Sequence, residues 1–268
     1  MTVLAGAVAA PEAMVALPVV GVSDVPTVMA AQMAEVDRAA TEDFGITLLQ
    51  MMEQAGSHLA EVVRLELGGD LRGKGVVVAV GPGNNGGGGL VAARHLGNRG
   101  ASVRVILARP ALRMTEAARH QLATLIAMGS DCCVATYDLT DLDLETVLVE
   151  ADMVVDAVLG YRIHDAPRGE AERLIGFVIR SGRPVVSLDL PSGIDPDSGA
   201  APGVAITARA TLTLALPKPG LFSAAGADRS GRIYLGDLGL PEALYTALGI
   251  PVGQPFAGSR IIVLDRSA

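Results

Sequence analysis

The sequence has few aromatic residues, no cluster of basic residues and an excess of acidic over basic side chains. It contains no tryptophan, four phenylalanines and four tyrosines, and its formal net charge at pH 7 is −8. Phosphate backbones attract basic surfaces, and exposed bases stack on aromatic rings. We therefore expect no nucleic-acid partner.

Long apolar runs and a disulfide framework are also missing. Although 50% of the 268 residues are hydrophobic, no apolar run reaches the ~20 residues that a membrane-spanning helix requires. The two cysteines, Cys132 and Cys133, are adjacent in a strand-like segment, where cysteine acts as a small apolar residue. This usage fits a reducing compartment, so we expect a cytoplasmic protein without a membrane partner.

The two ends of the chain are weakly patterned. Residues 1–25 are rich in alanine, valine and proline, and the first basic residue is Arg38, so the charged start of an export signal is missing. We expect a flexible N-terminal extension over 1–25, one folded domain over 26–250 and a C-terminal tail over 251–268.

Strand-like and helix-like segments alternate between these ends. This alternation predicts right-handed βαβ crossovers and hence a single α/β domain, a three-layer, Rossmann-like, doubly wound and mostly parallel sheet. For the first five strands we expect the order 3-2-1-4-5. Predicted strands cover 76–80, 103–107, 132–136, 153–158 and 185–188, and we expect added strands over 208–216 and 231–235 at the sheet edge. Predicted helices cover 26–41, 47–67, 89–99, 115–128, 143–151 and 168–181.

A glycine-rich stretch, Gly81–Gly89, follows the first of these strands and has the spacing G-x-G-x-x-G. It predicts a turn whose backbone N–H groups approach a ligand, with negative charge favoured at the helix start behind it. The next strand ends at Arg109-Pro110 without the acidic residue of the ordinary dinucleotide fingerprint, which argues against an NAD-dependent dehydrogenase without excluding one. Asn84 and Asn85 add side-chain oxygens that can ligate a hard cation.

Two other strand ends carry polar side chains. Asp156 lies within an apolar strand, and Asp189 and Ser192 follow the next strand. In the predicted strand order, these residues lie beside Asn84 and Asn85, at the crevice where doubly wound sheets bind ligands. A buried carboxylate needs a cation or several hydrogen-bond donors, so Asp156 fits a cation ligand, a helix cap or a satisfied buried group. For Lys218, a surface position and a substrate contact are equally good interpretations.

Several segments, taken together and in order, resemble the NAD(P)H-hydrate epimerase family, also called the YjeF N-terminal domain. The resemblance extends from about Thr27 to Leu240. The segments that carry it are Gln32–Arg38, Met51–Gly56, Gly81–Gly87, Leu90–Leu96, Val155–Ala157, Asp189–Asp195 and Lys218–Leu221.

The resemblance implies epimerisation of the R and S forms of NADH or NADPH hydrate, and a potassium ion held by Asn85, Asp156 and Ser192. It also implies a homodimer whose functional partner is an ADP/ATP-dependent NAD(P)H-hydrate dehydratase. The substrate contacts that we expect are Asn84, Asn85, Gly86, Gly87, Gly88, Gly160, Tyr161, Arg162, Ile163, His164, Asp189 and Lys218.

We expect inversion by loss and return of hydroxide, with Asp189 in the acid/base role and Asp156 holding the potassium ion. Three places depart from the family pattern. Gln54 stands where the family commonly has an asparagine. Gly88 stands where the family has an aspartate, and Tyr161-Arg162 follows Gly160 where the family often has Thr-Gly. Arg162 is a group that can pair with a phosphate. The alternatives are a catalytically decayed or repurposed domain that acts as a nucleotide-binding or scaffold module, and a redox enzyme that uses intact nicotinamide.

Overall fold

The computed structural model describes residues 16–134 and 138–267, in which nine strands form one sheet with helices on both faces. The strands are β1 (Val19–Gly21), β2 (Gly75–Val80), β3 (Ser102–Leu107), β4 (Asp131–Val134), β5 (Met153–Ala157), β6 (Val185–Leu188), β7 (Ala210–Leu214), β8 (Arg232–Gly236) and β9 (Ile261–Asp265). The α-helices are α1 (Ala30–Glu42), α2 (Leu48–Glu66), α3 (Asn84–Asn98), α4 (Glu116–Ala127), α5 (Asp141–Glu150), α6 (Gly169–Ser181), α7 (Ala224–Ser230) and α8 (Glu242–Ala247).

The sheet has the strand order β1-β9-β8-β7-β6-β5-β2-β3-β4. Neighbouring strands are parallel throughout, except for the antiparallel pair of β8 and β9. The run β4-β3-β2-β5-β6 confirms the predicted order 3-2-1-4-5, and the predicted doubly wound, mostly parallel fold is confirmed with it. The two directions of winding diverge between β2 and β5, which is where such sheets open a crevice.

The far side of the sheet corrects the prediction for the two ends of the chain. The added strands β7 and β8 lie inside the sheet, and β9 and β1 form its edge. Val19–Gly21 and Ile261–Asp265 therefore belong to the folded domain, so the predicted extension and tail are wrong where they cover these strands. A three-residue strand has no readable periodicity, and its backbone partners come from the opposite end of the chain. Residues 1–15 of the predicted extension, 135–136 of a predicted strand and 268 lie outside the described residues.

The helix α2 follows its sequence signals closely. The Thr47 hydroxyl accepts a hydrogen bond from the Gln50 N–H at 3.3 Å, and Gln50 Oε1 accepts one from the Thr47 N–H at 2.8 Å. This reciprocal capping box satisfies two backbone donors at the helix start. Gly68 and Gly69 have φ values of +86° and +97°, so the chain leaves the helix there. The predicted helix start and stop are confirmed.

The helix α3, in contrast, begins inside the stretch that the sequence predicts to be a turn. It starts at Asn84, and only residues 81–83 connect it to β2. A Cβ added at Gly86 would lie 2.0 Å from the carbonyl oxygen of Gly81, and one added at Gly87 would lie 2.7 Å from the Met52 sulfur. The prediction of a turn is wrong for residues 84–88, because close packing against the β2 turn and α2 outweighs the poor helix propensity of glycine.

The core lies on both faces of the sheet. Along β2, Val76, Val78 and Val80 pack in the layer with α2, α3 and α4, while Val77 and Ala79 pack in the layer with α5 and α6. Alternate residues of a strand point to opposite faces of the sheet, so a strand that is apolar throughout is buried on both faces. Within the described part of the chain, every helix is too short or too polar to cross a bilayer.

Candidate active site

A cavity of about 370 Å³ opens at the carboxyl ends of the central strands, beside the crevice between β2 and β5. Its walls come from α1, α2, the first turns of α3 and the segment after β5, and its floor from the ends of β6 and β7. Much of the lining is apolar, including Met33, Leu48, Met51, Met52 and Leu188. The few polar side chains therefore carry whatever chemistry occurs there.

A buried ion pair forms the floor of the cavity. Lys218 Nζ lies 2.5 Å from Asp189 Oδ1, and the lysine and aspartate side chains are 1% and 5% exposed. Lys218 Nζ also donates to the carbonyl oxygen of Leu214 at 3.2 Å, and the Tyr161 N–H donates to Asp189 Oδ2 at 3.1 Å. The lysine is thus a buried partner of Asp189, which excludes the surface interpretation of Lys218.

Backbone strain at the ends of two neighbouring strands accompanies this pair. Asp189, directly after β6, has φ +68°, and Ala215, directly after β7, has φ +58°; among the described residues they are the non-glycine positions with positive φ. After each strand, a hydrogen bond joins the residues on either side of the strained one. The Leu190 N–H donates to the Leu188 carbonyl oxygen, and the Leu216 N–H donates to the Leu214 carbonyl oxygen. Such conformations cost about 1–3 kcal/mol each and concentrate at functional sites.

A second polar cluster lies on the wall formed by α1. The Tyr161 hydroxyl donates to Asp37 Oδ2 at 2.6 Å, and Arg162 Nη2 lies 3.4 Å from the same oxygen. Burial and the negative charge of Asp37 raise the pKa of the Tyr161 phenol, so the phenol stays protonated and donates its hydrogen. The Lys218 ammonium lies 5.5 Å from the centre of the Tyr161 ring, so this ring stands between the two clusters.

Asp156 and Ser192 lie behind the cavity wall rather than on it. Asp156 is 1% exposed, and burial raises the pKa of its carboxyl group. Its oxygens accept from the hydroxyls of Ser187 and Ser192 at 2.8 and 2.5 Å, and from the N–H groups of Ser192 and Val158 at 2.8 and 3.3 Å. These donors are all uncharged. The helix-cap interpretation of Asp156 is therefore excluded, and a satisfied buried carboxylate or a cation ligand remains.

Asn85 is connected to Ser192 through the backbone of Leu159, in the segment after β5. Its Nδ2 donates to the carbonyl oxygen of Leu159 at 2.9 Å, and the Leu159 N–H donates to Ser192 Oγ at 2.8 Å. Asn85, Asp156 and Ser192 are thus brought together around one short segment. Their oxygens are of the amide, carboxylate and hydroxyl types that hard cations prefer. In the described residues, no group of three or more His, Cys, Asp or Glu side chains forms an alternative metal site.

The structure separates the predicted contact residues into two groups. Those that line the cavity are Asn84, Asn85, Gly88, Gly160, Tyr161, Arg162, Ile163, Asp189 and Lys218. Three of the expected contact residues do not line it. Gly86 and Gly87 are buried against the backbone of Gly81 and the side chain of Met52, and His164 Nδ1 lies 2.8 Å from Asp195 Oδ2, away from the cavity.

Sequence reasoning missed Asp37 and the apolar wall of the cavity. Asp37 lies four residues after Met33, which is on the buried stripe of α1, so the helical spacing placed its side chain next to that stripe. Met51 and Met52 belong to the buried side of α2 in the same way. The available signal for Asp37 was a carboxylate at the border between the apolar and polar sides of an amphipathic helix. Ordinary solvent-exposed residues occupy the same position, so the pattern does not distinguish the two.

Comparison with known proteins gives a consistent result. A family model described as YjeF-related protein N-terminus matches residues 48–220. The NAD(P)H-hydrate epimerase of Dehalogenimonas lykanthroporepellens is 40% identical over 237 residues, which cover 88% of this chain and 91% of that protein. The bifunctional NAD(P)H-hydrate repair enzyme Nnr of Moorella thermoacetica is 37% identical over 218 residues, 81% of this chain but only 41% of that enzyme.

The fold is similar to a solved structure as well. The crystal structure of the yeast protein YNL200c superimposes with a TM-score of 0.75 at 26% identity, covering 90% of this chain and all of that one. The family match and the relative that is aligned over most of its length agree, and the superposition covers most of the chain. The chain therefore belongs to the YjeF N-terminal family, the family of NAD(P)H-hydrate epimerases.

Proposed function

We propose that this protein epimerises the R and S forms of NADH or NADPH hydrate. The observation that carries the proposal is the buried Asp189–Lys218 pair on the floor of a largely apolar cavity, in a chain that is 40% identical to a named NAD(P)H-hydrate epimerase. A carboxylate and an ammonium in contact give one site both a proton acceptor and a proton donor.

The reaction inverts a ring carbon that bears a hydroxyl group and the ring nitrogen. The nitrogen lone pair expels the hydroxyl, which leaves as water once protonated, and water returns to the cationic carbon. Asp189 serves as the acid/base group and stabilises the positive charge that develops on the ring. Two of the three N–H donors of Lys218 are taken by Asp189 Oδ1 and the Leu214 carbonyl, and the third serves the substrate hydroxyl.

The rest of the substrate is anionic and follows the wall of the cavity. The start of α3 at Asn84 and Asn85 presents backbone N–H groups to the cavity, and helix starts favour phosphate. Arg162 lies on the cavity rim with its side chain 63% exposed. These groups hold the phosphates, so that the nicotinamide ring reaches Asp189.

A potassium ion fits the residues behind this wall. Asp156 is a buried carboxylate whose hydrogen-bond donors are uncharged, and a buried charge of this kind is stabilised by a counter-ion. Asn85, Asp156 and Ser192 would hold the ion. When bound, it would supply the positive charge that balances Asp156 and that keeps the segment after β5 in place.

The first experiment is a coupled assay on the hydrate epimer that an epimer-specific, ATP- or ADP-dependent dehydratase does not repair. Recovery of reduced-nicotinamide absorbance is followed after this protein is added. We expect acceleration over the spontaneous rate and a loss of about 100-fold or more in Asp189→Asn, the range of acid–base catalysis. Asp152→Asn, an exposed aspartate outside the cavity, is the matched control and keeps full activity.

Two results would change the proposal. Full activity in a folded Asp189→Asn variant removes the assignment of that residue. Binding of hydrate or nucleotide without turnover in the wild type favours a nucleotide-binding or scaffold module. In that case Gly88, on the cavity wall, is replaced with aspartate, and a gain of activity would support catalytic decay.

The potassium ion is tested separately. Activity is measured in potassium and in sodium, and equal activity in both argues against the ion.

The assembly and location that accompany this function are also proposals. A homodimer is tested by sedimentation, an ATP- or ADP-dependent dehydratase partner by co-purification, and a cytoplasmic location by fractionation. The relatives named Nnr are described as bifunctional repair enzymes, which supports the pairing of this domain with a second repair activity.

A further inference from the structure

The cavity contains a second carboxylate that the function as proposed leaves unused. Among the described residues that line it, the acidic ones are Asp37 on α1 and Asp189 on the floor. Asp37 is partly accessible, with a side chain that is 20% exposed. Its position on the rim of a reaction cavity calls for an explanation beyond a solvated helix side chain.

Tyr161 fixes the spacing of the two carboxylates. Its backbone N–H donates to Asp189 Oδ2 at 3.1 Å, and its hydroxyl donates to Asp37 Oδ2 at 2.6 Å. One tyrosine therefore bridges the Asp37 carboxylate on the α1 wall and the Asp189 carboxylate on the floor. Carboxyl groups that are about 6.5–9.5 Å apart let inverting glycosidases hold a sugar ring and a water molecule between them.

Asp37 is a hydrogen-bond acceptor in the structure. It accepts from the Tyr161 hydroxyl at 2.6 Å, and Arg162 Nη2 lies 3.4 Å from the same carboxylate oxygen. Asp189 is held differently, because it contacts the ammonium of Lys218. One wall of the cavity thus carries an acceptor, and the floor carries an acceptor together with a strong donor.

Inversion at the hydroxyl-bearing carbon needs a polar group on each face of the ring, because hydroxide leaves from one face and water adds to the other. We infer that Asp37 is the second acid–base group of the reaction and acts on the face opposite to the Asp189–Lys218 pair. This inference rests on the proposed function.

The proton balance follows from this arrangement. In one direction the C–O bond breaks as the Asp189–Lys218 pair gives a proton to the hydroxyl, which leaves as water, while the nitrogen lone pair forms the C=N bond. Water on the other face then adds to the carbon and gives its proton to Asp37. The reverse reaction exchanges the two roles, and solvent at the open rim returns the proton. The product hydroxyl therefore contains an oxygen atom from water.

The test compares Asp37→Asn with Tyr161→Phe in the coupled assay. The asparagine oxygen still accepts from the Tyr161 hydroxyl but is a poor base, whereas the phenylalanine leaves Asp37 intact and removes only that hydrogen bond. We expect Asp37→Asn to lower kcat by about 100-fold or more with an unchanged KM. Tyr161→Phe is expected to lose less than about 10-fold, and thermal melts of both variants establish that they fold.

A second readout follows the oxygen atom. In water enriched in heavy oxygen, we expect each enzyme-catalysed inversion to introduce one labelled oxygen, above the spontaneous exchange. Retention of the original oxygen, equal losses of kcat in the two variants, or a folded Asp37→Asn variant with near-normal kcat would each overturn the inference. An inactive wild type would instead overturn the proposed function and this inference with it, so the two failures are distinct.

Discussion

Replacing Lys218 with methionine is the most direct test of how the floor of the cavity is stabilised. The two side chains of the Asp189–Lys218 pair are 1% and 5% exposed, and their charged atoms are 2.5 Å apart. Methionine keeps a flexible apolar stem of similar length, so the main loss is the positive charge. An unpaired buried charge costs about 3–5 kcal/mol, and we expect the free energy of unfolding to fall by that amount in urea denaturation.

The controls separate charge from packing. Lys74, the only other lysine in the chain, lies 4.0 Å from Asp152 on the surface, with side chains that are 39% and 42% exposed. Lys74→Met should therefore cost less than about 1 kcal/mol. The double variant Lys218→Met with Asp189→Asn contains no buried charge at this site, and asparagine tolerates the positive φ of residue 189. We expect it to recover most of the lost stability. A loss in Lys218→Met no larger than that in Lys74→Met, or a double variant that stays as unstable as the single one, would refute the reasoning.

Two further predictions concern α3 and α2. Gly86→Ala should lower the free energy of unfolding by about 1–3 kcal/mol, because its Cβ would lie 2.0 Å from a backbone oxygen. Gly97→Ala should raise it by up to about 1 kcal/mol, because beyond its own helix backbone and chain neighbours its Cβ would meet no described atom within 4 Å. Urea denaturation checks both, and a change of the same sign in the two variants would contradict the packing argument. Burial lowers the pKa of His58, whose Nδ1 has no hydrogen-bond partner among the residues that the structure describes. The unfolded chain therefore takes up a proton more readily than the folded one, so stability falls as the pH drops through about 6.5. His58→Gln should reduce that fall between pH 7.5 and 5.5, in denaturation curves measured at each pH; identical pH dependence in the two proteins would count against it.

The sheet was largely predictable from the sequence because its strands are buried on both faces. Segments such as 76–80 and 153–158 are apolar runs of strand length separated by amphipathic helices, and this pattern allows few arrangements. The order of the central strands then brought Asn84, Asn85 and Asp189 to one edge of the sheet. The strands β1 and β9 escaped prediction. The edge strand β1 has three residues and pairs only with β9, from the other end of the chain, whereas β9 lies between β1 and β8.

Local propensity misjudged the glycine-rich stretch for a related reason. Glycine is a poor helix former in isolation, so Gly86 and Gly87 were predicted to form a ligand-binding turn. Their helical conformation depends on the backbone of Gly81 and the side chain of Met52, which approach closely only in the folded protein. His164 was likewise placed in the site by its position in the chain, although its ring contacts Asp195.

The sequence by itself determined the fold class, the order of the central strands and the strand ends that carry Asp189 and Asp156, because hydrophobic periodicity and strand winding are local or nearly local properties. Only the tertiary structure decided which side chains share the cavity. In the folded protein, Lys218 pairs with Asp189, and Asp37 accepts a hydrogen bond from Tyr161, which is 124 residues away in the chain. Asp156 and Ser192 are buried behind the cavity wall. These contacts join residues far apart in the chain, and their geometry depends on burial and on backbone conformations at strand ends that no local pattern encodes.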